Sequence, residues 1–577
     1  MPLLAANRRA LATRCPEVLA LLENSPLAPA PATVAEEPAG IVAEATASRR
    51  VLLVLTGIPG PRTTAALRTG SPRETLYWCV EPAAGPLAAR LATEDCSAWL
   101  SDPRVFLSIG APEAAALRRL NRELAWVDRA RALLLPSRLP GAEAVWKPLL
   151  ATTLSRVQQR WQNVLTDLRL APVRWENTCA NLPAFLAAPE ISALAGAFAG
   201  APLVLVAAGP SLDDALPFLR RIASHALVVT GNTSFRALAA HGLSPHLTVT
   251  IDPFSTTDLG YEGQPLGHTH LVAPVFAYPG VHRRFAGRLF GMTDESPLLA
   301  RLRAAAALPP APALLGEGTV SATILNLAAH FGCNRVVFVG QDFAIAEDGR
   351  SHAADTFYTD FGLNRHDQEQ VHRLPGTTHP EVSVPVRHVW YLRTVESLIA
   401  RTPQIRYVNT SHRGAVIQGA PYSNYETVAA SLLSGPARDF AGEIAARHAD
   451  SRSAADRQAR SAELRRARDA MSNALRLSLG AALANEIAQT AAGGDARRRF
   501  EQAADRFNQW LGSHPADQRL LFEGVTKAEI FSAEKRRLHL PDTPGDHALR
   551  EAGEVAWAFA EGAAGVRRRL DALGALD

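Results

Sequence analysis

Residues 203–253 read LVLVAAGPSLDDALPFLRRIASHALVVTGNTSFRALAAHGLSPHLTVTIDP and alternate apolar runs with leucine-periodic segments. The unbroken apolar run Leu203–Ala208 is typical of a parallel strand buried on both faces. Two more strands are predicted over Ala226–Thr230 and Leu247–Ile251, with a helix after each of the first two. This alternation predicts a parallel α/β sheet.

Polar groups follow each of these predicted strands. Open α/β sheets bind ligands at the carboxyl ends of their strands, so we expect a site for a phosphorylated or nucleotide-like ligand there. A glycine allows close backbone approach, a proline suits the first helical turn, and a serine caps the helix or binds a phosphate. An amide suits a base or a sugar hydroxyl, and a carboxylate accepts from a ribose or base, binds a metal or closes a turn. The residues are Gly209, Pro210, Ser211, Asn232, Thr233 and Asp252.

A second glycine-flanked helix start lies downstream. Gly316-Glu317-Gly318-Thr319 and Ser321 precede or open a predicted helix, Val320–His330. Backbone N–H groups and hydroxyls at such a start hold an anion, although a simple capped helix fits the spacing equally well. The next apolar strand, Arg335–Gly340, ends in Gln341 and Asp342, which are therefore expected at the same edge.

His352, in the polar loop after this strand, is the predicted general base. Asp342 or Asp355 is expected to assist it, and Glu317 and Asp342 are the next candidates for a catalytic role. The alternative is an exposed loop histidine without a role in catalysis.

The rest of the chain divides around this domain. We predict N-terminal helices with a Rossmann-like domain (1–135), a helical bridge (136–199), the central α/β domain (200–425) and a helical C-terminal domain (426–577). In the first domain Gly57 and Gly60 follow the strand Val51–Thr56, but G-x-G-x-x-G is incomplete. A structural or substrate-presenting role is therefore favoured there over nucleotide binding.

Composition excludes several classes of protein. The 577 residues are 47% hydrophobic and 20% charged with a net charge of +4, which gives no basic surface for a nucleic acid. No lysine lies between 148 and 526, so a Walker-A loop or a Schiff-base lysine is excluded there. The five cysteines are dispersed and predict no metal site. No apolar run is long enough to span a membrane, and a cytoplasmic location is expected.

The motifs together resemble the motility-associated factor (Maf) family of flagellin glycosyltransferases. The matching stretches are VAAGPSLD (206–213), GNTSFRALAAHGLSPHLTVTID (231–252), GEGTVSATILNLAAHFGCNRVVFVGQDFA (316–344), DGRSHA (348–353) and NTSHRGAVIQGA (409–420). The central domain is also similar to sialyltransferases and to MptE-like 6-hydroxymethylpterin pyrophosphokinases.

The Maf resemblance implies transfer of a nonulosonic acid of the pseudaminic or legionaminic type from a CMP-activated donor to Ser or Thr of flagellin. CMP-sugar is then a co-substrate and no cofactor is required. The MptE resemblance implies instead an ATP-dependent transferase with a divalent cation on carboxylates such as Asp252 and Asp342. A catalytically silent flagellin-binding chaperone is the non-enzyme alternative.

Overall fold

The chain forms two compact units, residues 1–169 and 170–577. The computed structural model describes residues 3–25, 38–46, 51–72, 75–110, 129–133, 147, 166, 169–294, 296–308, 310, 312, 314–315, 318–360, 370–449, 454–490, 494–515 and 547–574. The predicted four-domain boundaries stay predictions, and residues 136–146, 148–165 and 167–168 of the predicted helical bridge lie outside the described residues.

The first unit contains a parallel sheet in the order β3-β2-β1-β4. Its strands are β1 (Val51–Thr56), β2 (Leu76–Glu81), β3 (Val105–Ile109) and β4 (Arg129–Leu133). Its described helices are Ala5–Arg14, Pro16–Glu23, Pro38–Thr46, Pro61–Gly70, Ala84–Thr93 and Ser97–Leu100. The sequence predicts β1 and, over Thr75–Val80, β2, but neither β3 nor β4. In β4, arginines at alternate positions leave no apolar run.

The turn after β1 is filled by the protein's own side chains. Glu81, at the end of β2, accepts a hydrogen bond from the N–H of Ile58 at 3.1 Å. A Cβ on Gly57 would lie 2.8 Å from the same carboxylate. The guanidinium of Arg90 donates to the carbonyls of Ile58 and Pro59. The N–H of Ile58 and the carbonyls of Ile58 and Pro59 are thus bound within the protein, and the structural or substrate-presenting role of this turn stays a prediction.

The second unit contains a seven-stranded sheet in the order β13-β10-β5-β6-β7-β8-β9, and every pairing is parallel. The predicted parallel α/β class is thus confirmed. The strands are β5 (Pro202–Val206), β6 (Leu227–Gly231), β7 (Leu247–Val249), β8 (His270–Pro274), β9 (Leu289–Met292), β10 (Arg335–Val339) and β13 (Arg406–Asn409). A separate antiparallel hairpin, β11 (Val371–Pro375) with β12 (Glu381–Pro385), was not predicted.

Helices cover both faces of this sheet. They are 169–187, Leu212–Ile222, Asn232–Ala240, Pro279–Arg284, Pro297–Ala305, Val320–His330, Phe357–Asp360, Val386–Arg401, Tyr425–Leu433 and Phe440–His448, with 3₁₀ turns at Ile191–Leu194 and Ser255–Gly260. Leu203 and Leu205 of β5 pack into one core and Val204 and Val206 into another. Burial on both faces explains why the strand is apolar at every position.

The C-terminal part is helical, as predicted. Its described helices are Ala454–Thr490, Gly494–Ser513 and His547–Gly574. Together with the helix 169–187 they form a further core that includes Trp175, Met471, Phe507 and Phe559. Among the described residues, no helix has the length and apolar character needed to cross a bilayer.

The strand order reverses at β5. Strands β5 to β9 step outward on one side, and β10 then returns to pair with the other side of β5. Val206 is aligned with both Thr230 of β6 and Val339 of β10, so the three strands end at about the same level. Ligand crevices of open α/β sheets lie at such a reversal.

Candidate functional site

A cavity of about 300 Å³ lies at the carboxyl ends of β5, β6 and β10. It lies where the strand order reverses, which is the usual place of a ligand crevice in an open α/β sheet. The structure brings most of the predicted site residues into its lining, although they span more than a hundred positions of sequence. These are Gly209, Asn232, Thr233, Asp252, Gly318, Thr319, Ser321, Gln341, Asp342 and His352.

Four predicted residues are not among the lining residues. Gly316 and Glu317 lie outside the described residues. Pro210 and Ser211 are described but are not among the cavity's lining residues, and their contact with a ligand stays a prediction. Nor does the Ser211 side chain cap the helix that it precedes.

Ser211 is instead the partner of Asp342. Its hydroxyl donates to Asp342 Oδ1 at 2.5 Å, and its N–H donates to Asp342 Oδ2 at 2.9 Å. The carboxylate of Asp342 is 1% exposed, and burial raises its pKa to about 6. A buried carboxylate needs donors, and the serine supplies both of them. Asp342 therefore ties the end of β10 to the turn after β5.

Close backbone approach makes glycine necessary at this turn. A Cβ on Gly209 would lie 2.3 Å from Asp342 Oδ2 and 2.5 Å from the carbonyl oxygen of Gly340. Position 209 therefore requires glycine because the end of β10 lies so close to it, whether or not a ligand binds.

Three polar side chains of the lining have hydrogen-bonding groups without a partner among the described residues: Asn232, Thr233 and Asp252. The surrounding protein displaces solvent from Asp252 within this concave site, and this desolvation raises its pKa. Asn232 is the first residue of the helix Asn232–Ala240, and Thr319 caps Val320–His330. Two helix N-termini thus border the cavity and favour an anion.

Gln341 is oriented by two serines. Its side-chain oxygen accepts from Ser321 Oγ at 2.7 Å, and its backbone N–H donates to Ser411 Oγ at 2.7 Å. The amide N–H groups of Gln341 and the second lone pair of its side-chain oxygen keep capacity for a ligand.

His352 is half-buried in the cavity wall. Its Nδ1 lies 2.8 Å from Ser351 Oγ, and its ring stacks on Tyr358 with centroids 4.0 Å apart. Neither carboxylate predicted to assist it is bonded to it. Asp342 is held by Ser211, and Asp355 pairs with His241 Nε2 at 2.7 Å. The assistance of His352 by Asp342 or Asp355 and its role as base both stay predictions.

Sequence reasoning missed an aromatic and histidine wall of the cavity. Besides His352 it comprises Tyr358, His388 and Tyr391. Burial raises the pKa of Tyr358, on which the charges of Arg387 and Asp252 also act. The only signal in the sequence was the clustering of aromatics beside DGRSHA and at the start of the predicted helix His388–Arg401.

Comparison with known proteins agrees with this architecture. Residues 176–348 match the family model described as 6-hydroxymethylpterin diphosphokinase MptE-like. The solved Maf glycosyltransferase from Magnetospirillum magneticum AMB-1 is similar over 98% of this chain and 95% of its own, with a TM-score of 0.61 and 15% identity. No curated protein matches the sequence. The chain thus has the fold of that Maf glycosyltransferase, and its central sheet carries the MptE-like sequence pattern.

Proposed function

We propose that the chain is a glycosyltransferase that moves a nonulosonic acid from a CMP-activated donor to Ser or Thr of flagellin, in the cytoplasm. The observation that carries the proposal is the open cavity at the strand reversal, in which Asn232, Thr233 and Asp252 keep unused hydrogen-bonding groups. The similarity to a Maf glycosyltransferase over 98% of the chain supports it.

The donor fits the polar side of this cavity. Asn232 and Asp252 supply an amide and a carboxyl to a base or ribose, and both follow neighbouring strands of the sheet. Two helix N-termini and Thr319 stabilise the phosphate charge that grows as CMP leaves. None of the described residues that line the cavity is Lys or Arg, and helix dipoles and hydroxyls would carry this task.

The acceptor hydroxyl requires a base, whereas the donor phosphate requires groups that stabilise negative charge. A protein hydroxyl must lose its proton as it attacks, which calls for a base within hydrogen-bond reach. The histidines of the cavity wall meet that need, and their aromatic neighbours provide an apolar surface for a peptide or sugar ring.

The match to the MptE-like family over residues 176–348 favours a second candidate, an ATP-dependent diphosphokinase. That reaction calls for a divalent cation, for which Asp252 and Asp342 were the predicted ligands. Both oxygens of Asp342 already accept hydrogen bonds from Ser211, which disfavours this carboxylate as a cation ligand. No cluster of three potential metal ligands occurs in the part of the chain that the structure describes.

In the decisive experiment the chain is incubated with flagellin from the same organism and CMP-nonulosonate. The mass of flagellin is then measured by intact-protein mass spectrometry. We expect a mass increase equal to one or more nonulosonate residues, together with release of CMP. Binding of flagellin without a mass change supports the chaperone instead. Conversion of 6-hydroxymethylpterin to its diphosphate with ATP and Mg²⁺, without transfer to flagellin, supports the diphosphokinase.

A further inference from the structure

His388 is the second histidine in the cavity wall. It lies in the first turn of the helix Val386–Arg401, half-buried, with its ring centroid 5.8 Å from that of Tyr391. The MptE-like match ends at residue 348, before either wall histidine. The wall therefore belongs to the part of the site that this match does not include, where an acceptor-specific group is expected.

A backbone hydrogen bond fixes the tautomer of His388. Its Nδ1 lies 3.0 Å from the carbonyl oxygen of Phe343. A carbonyl oxygen can only accept, so Nδ1 carries the hydrogen. The neutral imidazole then has its lone pair on Nε2, which is the protonation pattern of a general base held by a backbone acceptor.

The Phe343 backbone is itself unusual. Its φ of +56° lies in the left-handed region, which residues with a side chain rarely adopt. Such conformations persist where the surrounding structure imposes them, and they concentrate at functional sites. Phe343 directly follows Gln341 and Asp342 at the end of β10, so the edge of the sheet orients His388 through this carbonyl.

His352 is held differently. Its Nδ1 pairs with the hydroxyl of Ser351, which can donate or accept, so the bond does not select a tautomer. Its ring lies nearly parallel to Tyr358, with an angle of 10° between the planes. This arrangement suits a surface for stacking more than a proton acceptor of fixed tautomer.

We propose that His388 is the base that takes the proton of the acceptor hydroxyl, an inference that rests on the glycosyltransferase function proposed above. As the proton moves to Nε2, the hydroxyl oxygen bonds to the anomeric carbon of the nonulosonate. The bond from that carbon to the phosphate oxygen breaks, and its electron pair leaves with CMP. The imidazolium then releases its proton to water.

A matched pair of variants tests the assignment. Asparagine places its amide nitrogen near the position of Nδ1, so His388→Asn retains a donor for the Phe343 carbonyl but removes Nε2. We expect it to slow single-turnover transfer to flagellin about 100-fold or more, with the Kd for CMP changed less than about threefold. His352→Asn should slow transfer less than about tenfold. His514→Asn, at an exposed position directly after the helix Gly494–Ser513, serves as the surface control.

Two results would overturn the proposal: transfer by His388→Asn within about tenfold of wild type, or a larger loss of transfer in His352→Asn than in His388→Asn.

Long-range ¹H–¹⁵N spectra of histidine-labelled protein give a readout independent of transfer. The cross-peaks that disappear in His388→Asn must show a neutral Nδ1–H imidazole, and an Nε2–H tautomer would contradict the assignment. If the wild-type chain transfers no sugar, the glycosyltransferase function falls and the base with it. Normal transfer by His388→Asn removes only the base.

Discussion

The chain contains two glycine turns that follow the first strand of a parallel sheet, one closed and one open. In both, a carboxylate from a neighbouring strand end accepts an N–H of the turn: Glu81 from Ile58, and Asp342 from Ser211. In the N-terminal unit the guanidinium of Arg90 also donates to two carbonyls of the turn. In the central domain the other neighbouring strand end carries Asn232, and a cavity of about 300 Å³ remains.

The difference shows that a glycine turn after a strand is a structural device first. Whether it serves a ligand depends on the side chains that adjoining strands bring to it, because these either satisfy the turn or leave groups for a ligand. Sequence motifs that list only the glycines do not distinguish the two cases.

Paired glycine substitutions test the comparison most severely. Gly209→Ala places a Cβ 2.3 Å from Asp342 Oδ2 and 2.5 Å from a backbone oxygen, neither of which has room to move. We expect it to cost about 1–3 kcal/mol of stability and to weaken CMP binding about 100-fold as the turn shifts. Calorimetric titration with CMP and thermal unfolding provide the two measurements.

The matched variant is Gly57→Ala. Its Cβ would lie 2.8 Å from Glu81 Oε1, at a residue with a φ of +76°, so stability should also fall. CMP affinity should not change, because Gly57 belongs to the first unit and is not part of the cavity lining. If Gly57→Ala weakens CMP binding as much as Gly209→Ala does, the distinction between closed and open turns is lost.

Removal of the Asn232 amide sharpens the comparison at the open turn. Asn232→Ala should weaken CMP binding roughly 5- to 150-fold, the equivalent of about 1–3 kcal/mol for a polar partner lost from a ligand. The thermal midpoint should barely change, since the side chain bonds to no described residue. Asn424→Ala is the opposite control, because Asn424 accepts from the N–H of Thr427 at 2.9 Å as a helix cap. It should lower stability and leave CMP binding intact.

The buried carboxyl of Asp342 gives a smaller, pH-dependent effect. Its pKa is about 6 in the folded chain against an ordinary value near 3.9, so the folded state binds the proton more tightly. This contribution is complete below pH 3.9 and is lost as pH rises through 6. We therefore expect wild type to lose about 1 kcal/mol of stability relative to Asp342→Asn between pH 5 and pH 7.

Denaturant unfolding at the two pH values measures this difference. Asp505→Asn, at an exposed position on a C-terminal helix, is the control and should show no such dependence. A stability difference between wild type and Asp342→Asn that stays constant, or that grows with pH, would contradict a raised pKa.

Apolar runs predicted most of the central sheet. The predicted strands Leu203–Ala208 and Leu247–Ile251 correspond to β5 and β7 within two residues at either end, because a strand buried on both faces admits few polar side chains. β9 and the β11–β12 hairpin were not predicted. β9 is four residues long, and β11 is largely exposed, so neither carries a strong apolar signal.

The residues of the site likewise differ in whether the sequence could predict them. Asn232, Asp252 and Gln341 were predictable since the carboxyl ends of parallel strands share one edge. The partnership of Ser211 with Asp342 was not, because it depends on β10 pairing with β5 rather than with β9. His388 and Tyr391 come from a helix beyond the sheet, and no periodicity places a helix start over a cavity.

The return of β10 to β5 also governs the order in which the site is assembled during synthesis. Strands β5 to β9 emerge first, whereas Asp342 follows its partner Ser211 by 131 residues. Until β10 arrives, β5 has an unpaired edge rich in valine and leucine, the kind of edge that invites pairing with another chain. A polypeptide that stops after β9 would therefore be an aggregation hazard that lacks the β10 side of the cavity. The lining of the cavity is complete only when the ribosome has released the far side of the sheet.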